Sequence, residues 1–131
     1  MKTAKQLVDE ALAQIETLSV EDAQSAVDAG KAQLVDLRDI RELKREGKVD
    51  GALHVPRGML EFWIDPASPY HNEKLATDKK LVFFCAAGWR SALATKTAKD
   101  MGFNNVAHID GGFGAWRDQG APIVESESRK T

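Results

Sequence analysis

A chain of 131 residues, 43% hydrophobic and 29% charged, is sized for one soluble globular domain around a single core and is too short for two ordinary domains. Its formal charge of −2 excludes a global basic bias toward nucleic acid or a membrane surface, and its one cysteine excludes an intramolecular disulfide framework and a cysteine-rich zinc site. No stretch is long and apolar enough to span a bilayer, and the N-terminus lacks the apolar core of a secretory signal; the expectation is a cytoplasmic protein whose thiol stays reduced.

Ala4, Leu7, Val8, Ala11, Leu12 and Ile15 recur at helical spacing between lysines and acids. This predicts an amphipathic helical extension over residues 1–18, ahead of a domain at 19–124, that docks on the domain or on a partner and carries no chemistry. Ser19 reads as an N-cap with Glu21 and Asp22 in the first turn, opening a second helix through Ala26 that Gly30 stops. Residues 33–37 have strand length and β-branched content, and a helix at 40–46 ends at Gly47. Residues 51–56 form a turn into a short strand closed by Pro56.

Charges at strand ends more often make structural pairs than catalytic ones, so Asp36 and Arg38 read as an ion pair or cap. His54 reads as a hydrogen-bonded histidine near a strand end rather than a general base. Arg57 emerges from that strand and is a candidate substrate contact, with an ordinary surface arginine as the alternative. A short apolar helix at 59–65 is broken by Pro66 and Pro69, and the polar stretch to Lys80 is a surface connection or a wall beside a pocket.

Leu81-Val82-Phe83-Phe84 then delivers Cys85 to the end of a doubly covered parallel strand. Ala86, Ala87 and Gly88 follow, and a helix from Arg90 runs to 101, stopped by Gly102. Such a strand-to-helix loop points backbone N–H groups inward. Unpaired amides at a helix N-terminus stabilise a bound anion or a thiolate placed among them, and the Arg90 guanidinium is a fixed cation beside them. A lone cysteine is otherwise a buried structural thiol. The small residues, glycine and arginine at the helix start favour a nucleophile that handles an anionic substrate.

A further strand at 105–109 leads to Asp110-Gly111-Gly112, a turn too short for a nucleotide-binding loop, and to a helix at 113–119 whose Trp116 belongs to the core. Pro122-Ile123-Val124 suits an edge segment and residues 125–131 a frayed tail. Strands alternating with helices define an α/β fold with a parallel sheet covered on both faces and the site outside the strands' carboxyl ends, where Cys85 lies.

The loop Cys85-Ala86-Ala87-Gly88-Trp89-Arg90 resembles the active-site loop of the rhodanese family of sulfurtransferases. Val35-Asp36-Leu37-Arg38-Asp39, Glu42 and the run from Gly47 to Pro56 are similar to the family's N-terminal signature. The run from Asp110 to Trp116, with Gly120-Ala121-Pro122 behind it, resembles the C-terminal one. The resemblance implies a three-layer α/β/α fold with a central, mainly parallel sheet. It also implies transfer of sulfane sulfur from a donor such as thiosulfate to cyanide or a thiol through a persulfide on Cys85, without metal or organic cofactor and without a catalytic histidine. The amides of Ala86, Ala87, Gly88, Trp89 and Arg90 would stabilise the persulfide, and the partners would be a small sulfur donor and a thiol, cyanide or protein acceptor.

Ala86 and Ala87 supply no side-chain cation where many rhodanese loops carry one, and Trp89 places a bulky ring at the mouth. A bulkier persulfide donor or a protein partner suits that rim. Two rivals stand beside this reading: cysteine-dependent phosphate-ester or arsenate chemistry, and a non-catalytic binding module. The related phosphatases place five residues between cysteine and arginine, against four here, and inactive modules commonly lack the cysteine.

Overall fold

The computed structural model describes residues 1–126; the rest of the expected tail lies outside the described residues. Among the described residues, five strands, all parallel, form one sheet: β1 (Glu16–Leu18), β2 (Ala32–Asp36), β3 (Leu53–His54), β4 (Lys80–Phe84) and β5 (Val106–Ile109), in the order β1-β5-β4-β2-β3. The helices are α1 (Ala4–Leu12), α2 (Val20–Asp28), α3 (Ile40–Glu46), α4 (Leu60–Ile64), α5 (Trp89–Asp100) and α6 (Gly112–Asp118). No helix among the described residues is long and apolar enough to cross a membrane.

The central strand shows why the sheet must be covered twice. Leu81 and Phe83 face α4 and α5, packing with Leu60, Ile64, Ala94 and Ala98, while Val82 and Phe84 face α2 and α6, packing with Val20, Ala23, Phe113 and Trp116. Both sets are buried, as period-two alternation in a doubly covered strand requires. In register, Asp36 sits opposite Phe84 and Phe83 opposite His108, so the carboxyl ends of β2, β4 and β5 meet at one edge. Cys85 is the next residue along.

Local chemistry sets the helix starts. Thr3 and Gln6 form a capping box, Ser19 accepts from the Asp22 amide at 3.0 Å, and Asp39 and Glu42 form a second box. Helix α1 lies outside α5, with Val8 and Ala11 against Ala92, but it stops at Leu12 rather than continuing through Ile15. Within the stretch read as a helical extension, residues 16–18 instead pair with β5 as the edge of the sheet. Three residues are too few to show a period, and the pairing that makes them a strand lies 91 residues away in Thr17 and His108. Val124 contributes one antiparallel bridge, to Lys48. In the stretch after Pro56, the buried side chains of Leu60, Ile64 and Leu75 fix the chain to the α5 face.

Candidate active site

Gly88 is the N-cap of α5 with φ +120°, a backbone setting glycine takes without strain, and it turns the chain sharply after Cys85. The first four N–H groups of a helix have no intrahelical acceptor. Here the Gly88 amide donates to Cys85 Sγ at 3.2 Å and the Ser91 amide donates to it at 3.4 Å. Cys85 is 1% exposed, so its sulfur lies within the turn, and polar groups surround it there. Its thiol points at Ser91 Oγ, 3.6 Å away.

The loop is braced from behind by α6. Cys85 O accepts from the Phe113 amide at 2.7 Å and Ala86 O from the Gly114 amide at 3.0 Å. This close approach requires glycine at position 112: a Cβ there would stand 2.3 Å from Cys85 O. Phe113 in turn carries the Arg38 guanidinium at 3.9 Å from its ring centre. Arg38 is wholly buried and held by Asp36 at 2.8 Å and by the Gly47 carbonyl, while its Nη1 has no hydrogen-bond partner among the described residues. The aspartate and arginine are therefore the structural pair expected, and His54, 2.7 Å from Arg38 O, is a hydrogen-bonded strand-end histidine.

At the rim, Ala86 is half-buried, Ala87 is exposed and Trp89 is 55% exposed. Arg90 is half-exposed and takes both Glu42 oxygens, at 2.7 and 3.0 Å. The pair is mutual: the Arg90 hydrogen bonds hold the Glu42 carboxyl below the usual carboxylate range, and Glu42 raises the Arg90 guanidinium. Arg57 points elsewhere, toward Glu61 at 3.0 Å and Thr97 at 3.5 Å, about two turns along α5 from Arg90. The structure thus gathers Cys85, Gly88 and Ser91 at the sulfur and Trp89 and Arg90 at the rim, while the Arg57 guanidinium bonds to Glu61 and Thr97. Among the described residues, no group of three or more His, Cys, Asp or Glu is placed to hold a metal ion.

Sequence reasoning missed two residues here. Ser91 is the third residue of α5, and its position after the Gly88 cap was the available signal for an unpaired amide. His108 sits in β5 among apolar neighbours, 2% exposed, with Nδ1 2.9 Å from Ser91 Oγ and Nε2 3.0 Å from Thr17 Oγ1. Burial lowers the pKa of its ring against an opposing pull from Asp110, which favours the neutral form.

The chain folds as a single parallel sheet covered on both faces, with Cys85 at its carboxyl edge under the N-terminus of α5. Residues 19–119 match the model of the Rhodanese-like domain family, and the chain belongs to that family. It is 32% identical over 104 residues to thiosulfate sulfurtransferase GlpE of Shewanella oneidensis, covering 79% of this chain and 94% of that protein. The chain spans 62% of the length of the mouse thiosulfate sulfurtransferase/rhodanese-like domain-containing protein 3, to which it is 31% identical over 97 residues. Among solved structures, a protein of unknown function from Rhodopseudomonas palustris, described as a possible tyrosine phosphatase, is 54% identical with a TM-score of 0.90, covering 94% of this chain and 95% of that one. The polysulfide-sulfur transferase homodimer of Wolinella succinogenes is 31% identical with a TM-score of 0.70, covering 97% and 90%.

Proposed function

We propose that the protein is a sulfurtransferase that carries sulfane sulfur as a persulfide on Cys85. The observation that carries this reading is the pair of amides, Gly88 and Ser91, that donate to Cys85 Sγ. Dipoles fixed in place before reaction stabilise negative charge on sulfur without reorganising. The Cys85 thiolate attacks the outer sulfur of the donor; with thiosulfate, the donor's S–S bond breaks and sulfite leaves with the electron pair. The new persulfide bears one negative charge at its outer sulfur, which the remaining first-turn amides of Trp89 and Arg90 and the loop amides of Ala86 and Ala87 would stabilise. Cyanide or a thiolate then attacks that outer sulfur and returns the Cys85 thiolate. A reducing compartment such as the cytoplasm keeps the single thiol available.

Phosphate-ester chemistry fits the loop less well. With four residues between Cys85 and Arg90 the turn is tight for a tetrahedral phosphate, and the arginine such a substrate would need is engaged by Glu42 through two bonds. The exposed Trp89 ring favours a donor longer than thiosulfate, such as polysulfide, the persulfide of a small thiol or a protein persulfide. Arg57, whose guanidinium is held by Glu61, would meet only the far end of such a donor.

Thiocyanate production from cyanide tests this across thiosulfate, inorganic polysulfide and glutathione persulfide, with p-nitrophenyl phosphate as the rival substrate. Trp89→Ala is expected to lower kcat/KM for the two longer donors by about 3–10-fold and for thiosulfate by less than about twofold, the worth of one partly buried aromatic contact. Arg57→Ala is expected to move only the glutathione persulfide KM. Unchanged kinetics with every donor in Trp89→Ala would refute the rim assignment. Phosphate release without thiocyanate would replace the sulfurtransferase reading, and neither product would favour a binding module.

A further inference from the structure

We propose that His108 is a positioning residue that acts through Ser91, keeping a hydroxyl hydrogen free for the Cys85 sulfur when that sulfur is anionic. The proposal rests on the thiolate of the sulfurtransferase reading and adds a buried residue that the reading does not use. His108 and Val106 face the α5 side of the sheet, where the ring is 2% exposed. It joins two elements: Nδ1 meets Ser91 Oγ on α5 at 2.9 Å, and Nε2 meets Thr17 Oγ1 on β1 at 3.0 Å.

The direction of each bond follows from counting hydrogens. A serine hydroxyl has one hydrogen and two lone pairs. Ser91 Oγ lies 3.2 Å from Gly88 O and 3.6 Å from Cys85 Sγ. With a protonated thiol, S–H donates to Ser91 Oγ and the serine hydrogen goes to the Gly88 carbonyl. With an anionic sulfur, that hydrogen turns to the sulfur. In both states Ser91 Oγ has a lone pair open to a donor, and the Nδ1–H of His108 fills it. A ring that accepted at Nδ1 would instead claim the one hydrogen the sulfur needs.

With Nδ1 carrying the hydrogen, Nε2 is the acceptor, and the Thr17 hydroxyl 3.0 Å away donates to it. Burial disfavours the doubly protonated ring, and Asp110 is the charged group whose field opposes that effect. Thr95 Oγ1 donates to the Ser91 carbonyl at 2.7 Å, fixing the first turn of α5 from the other side. The result is a chain, Thr17 to His108 to Ser91 to Cys85, that adds a hydroxyl donor to the two amides and to the Arg90 guanidinium, the charged group that also acts on the sulfur. Without the ring donor, Ser91 would keep its hydrogen on Gly88 O or share it with other acceptors.

The test reads the thiolate itself, through its ultraviolet absorbance after subtraction of a Cys85→Ala reference at each pH, and needs neither donor nor acceptor. One hydrogen bond to a charged group is lost in His108→Leu and in Ser91→Ala, so each is expected to show thiolate near pH 7 reduced about fivefold or more, with the deficit narrowing as the pH rises toward about 10. His108→Asn, whose side-chain N–H replaces Nδ1–H, is expected to keep more than about half of the wild-type signal near pH 7. Thr17→Val, at the exposed end of the chain, leaves the ring in place and is expected to lower it about twofold. Wild-type signal in both His108→Leu and Thr17→Val, or loss in His108→Asn equal to that in His108→Leu, would overturn the proposal. A wild-type protein with no thiolate near pH 7 would overturn the anionic-sulfur reading and this proposal together, whereas thiolate without sulfur transfer would sink only the former's substrate assignment.

Discussion

Gly112→Ala is expected to lower stability by about 3–5 kcal/mol and to cut sulfur transfer at least tenfold in whatever fraction stays folded. Two effects add. A left-handed residue other than glycine costs about 1–2 kcal/mol, and Gly112 has φ +57°. A methyl group 2.3 Å from Cys85 O and 3.0 Å from the Ala86 carbonyl carbon cannot be absorbed by a rotamer change, because both neighbours are backbone. Either α6 withdraws, breaking the bonds from Phe113 and Gly114 to the loop, or the loop moves and takes Sγ off its two amides. Urea unfolding gives the first number and steady-state assay the second; a loss under about 1 kcal/mol with wild-type turnover would show that the loop does not need this brace.

Asp36→Ala should cost about as much, 3–5 kcal/mol or so, for an electrostatic reason. The substitution leaves the Arg38 guanidinium at 0% exposure without its hydrogen-bonded carboxylate, with Glu42 acting on it only through space. The Phe113 ring returns only about 0.5–2 kcal/mol as a cation–π contact, too little to offset a buried unpaired charge. Removing both charges tests the cause: Asp36→Leu with Arg38→Met is expected to recover most of the loss, since an apolar pair of similar volume needs no desolvation. Thermal melts of the two variants settle it. An Asp36→Ala protein within about 1 kcal/mol of wild type would mean that water reaches Arg38.

Much of this architecture was legible in the chain. Leu81 to Phe84 is a short apolar run ending at a small-residue loop, and local rules are enough to read a strand, a turn and a helix from it. Gly30, Gly47, Gly102 and Gly120 each end a helix with positive φ, as glycine after a periodic segment suggests. The structural reading of Asp36 and Arg38 followed from their place at a strand end. What could not be read depends on distant partners. Thr17 becomes part of a strand only through β5, and His108 gains a role only where Ser91 and Thr17 meet it, contacts spanning 17 and 91 residues of sequence. Arg57 shows the same limit in reverse: strand-end position says where a residue emerges, not which neighbour, here Glu61, takes its charge.

The most direct test is the intact mass of the reduced protein after exposure to thiosulfate or inorganic polysulfide and removal of the small molecules. The expected result is a gain of one sulfur atom with at least one donor, reversed by cyanide with release of thiocyanate, and no gain in folded Cys85→Ser. Folded wild-type protein that keeps its unmodified mass with every donor, or an equal gain in Cys85→Ser, would contradict a persulfide held on Cys85.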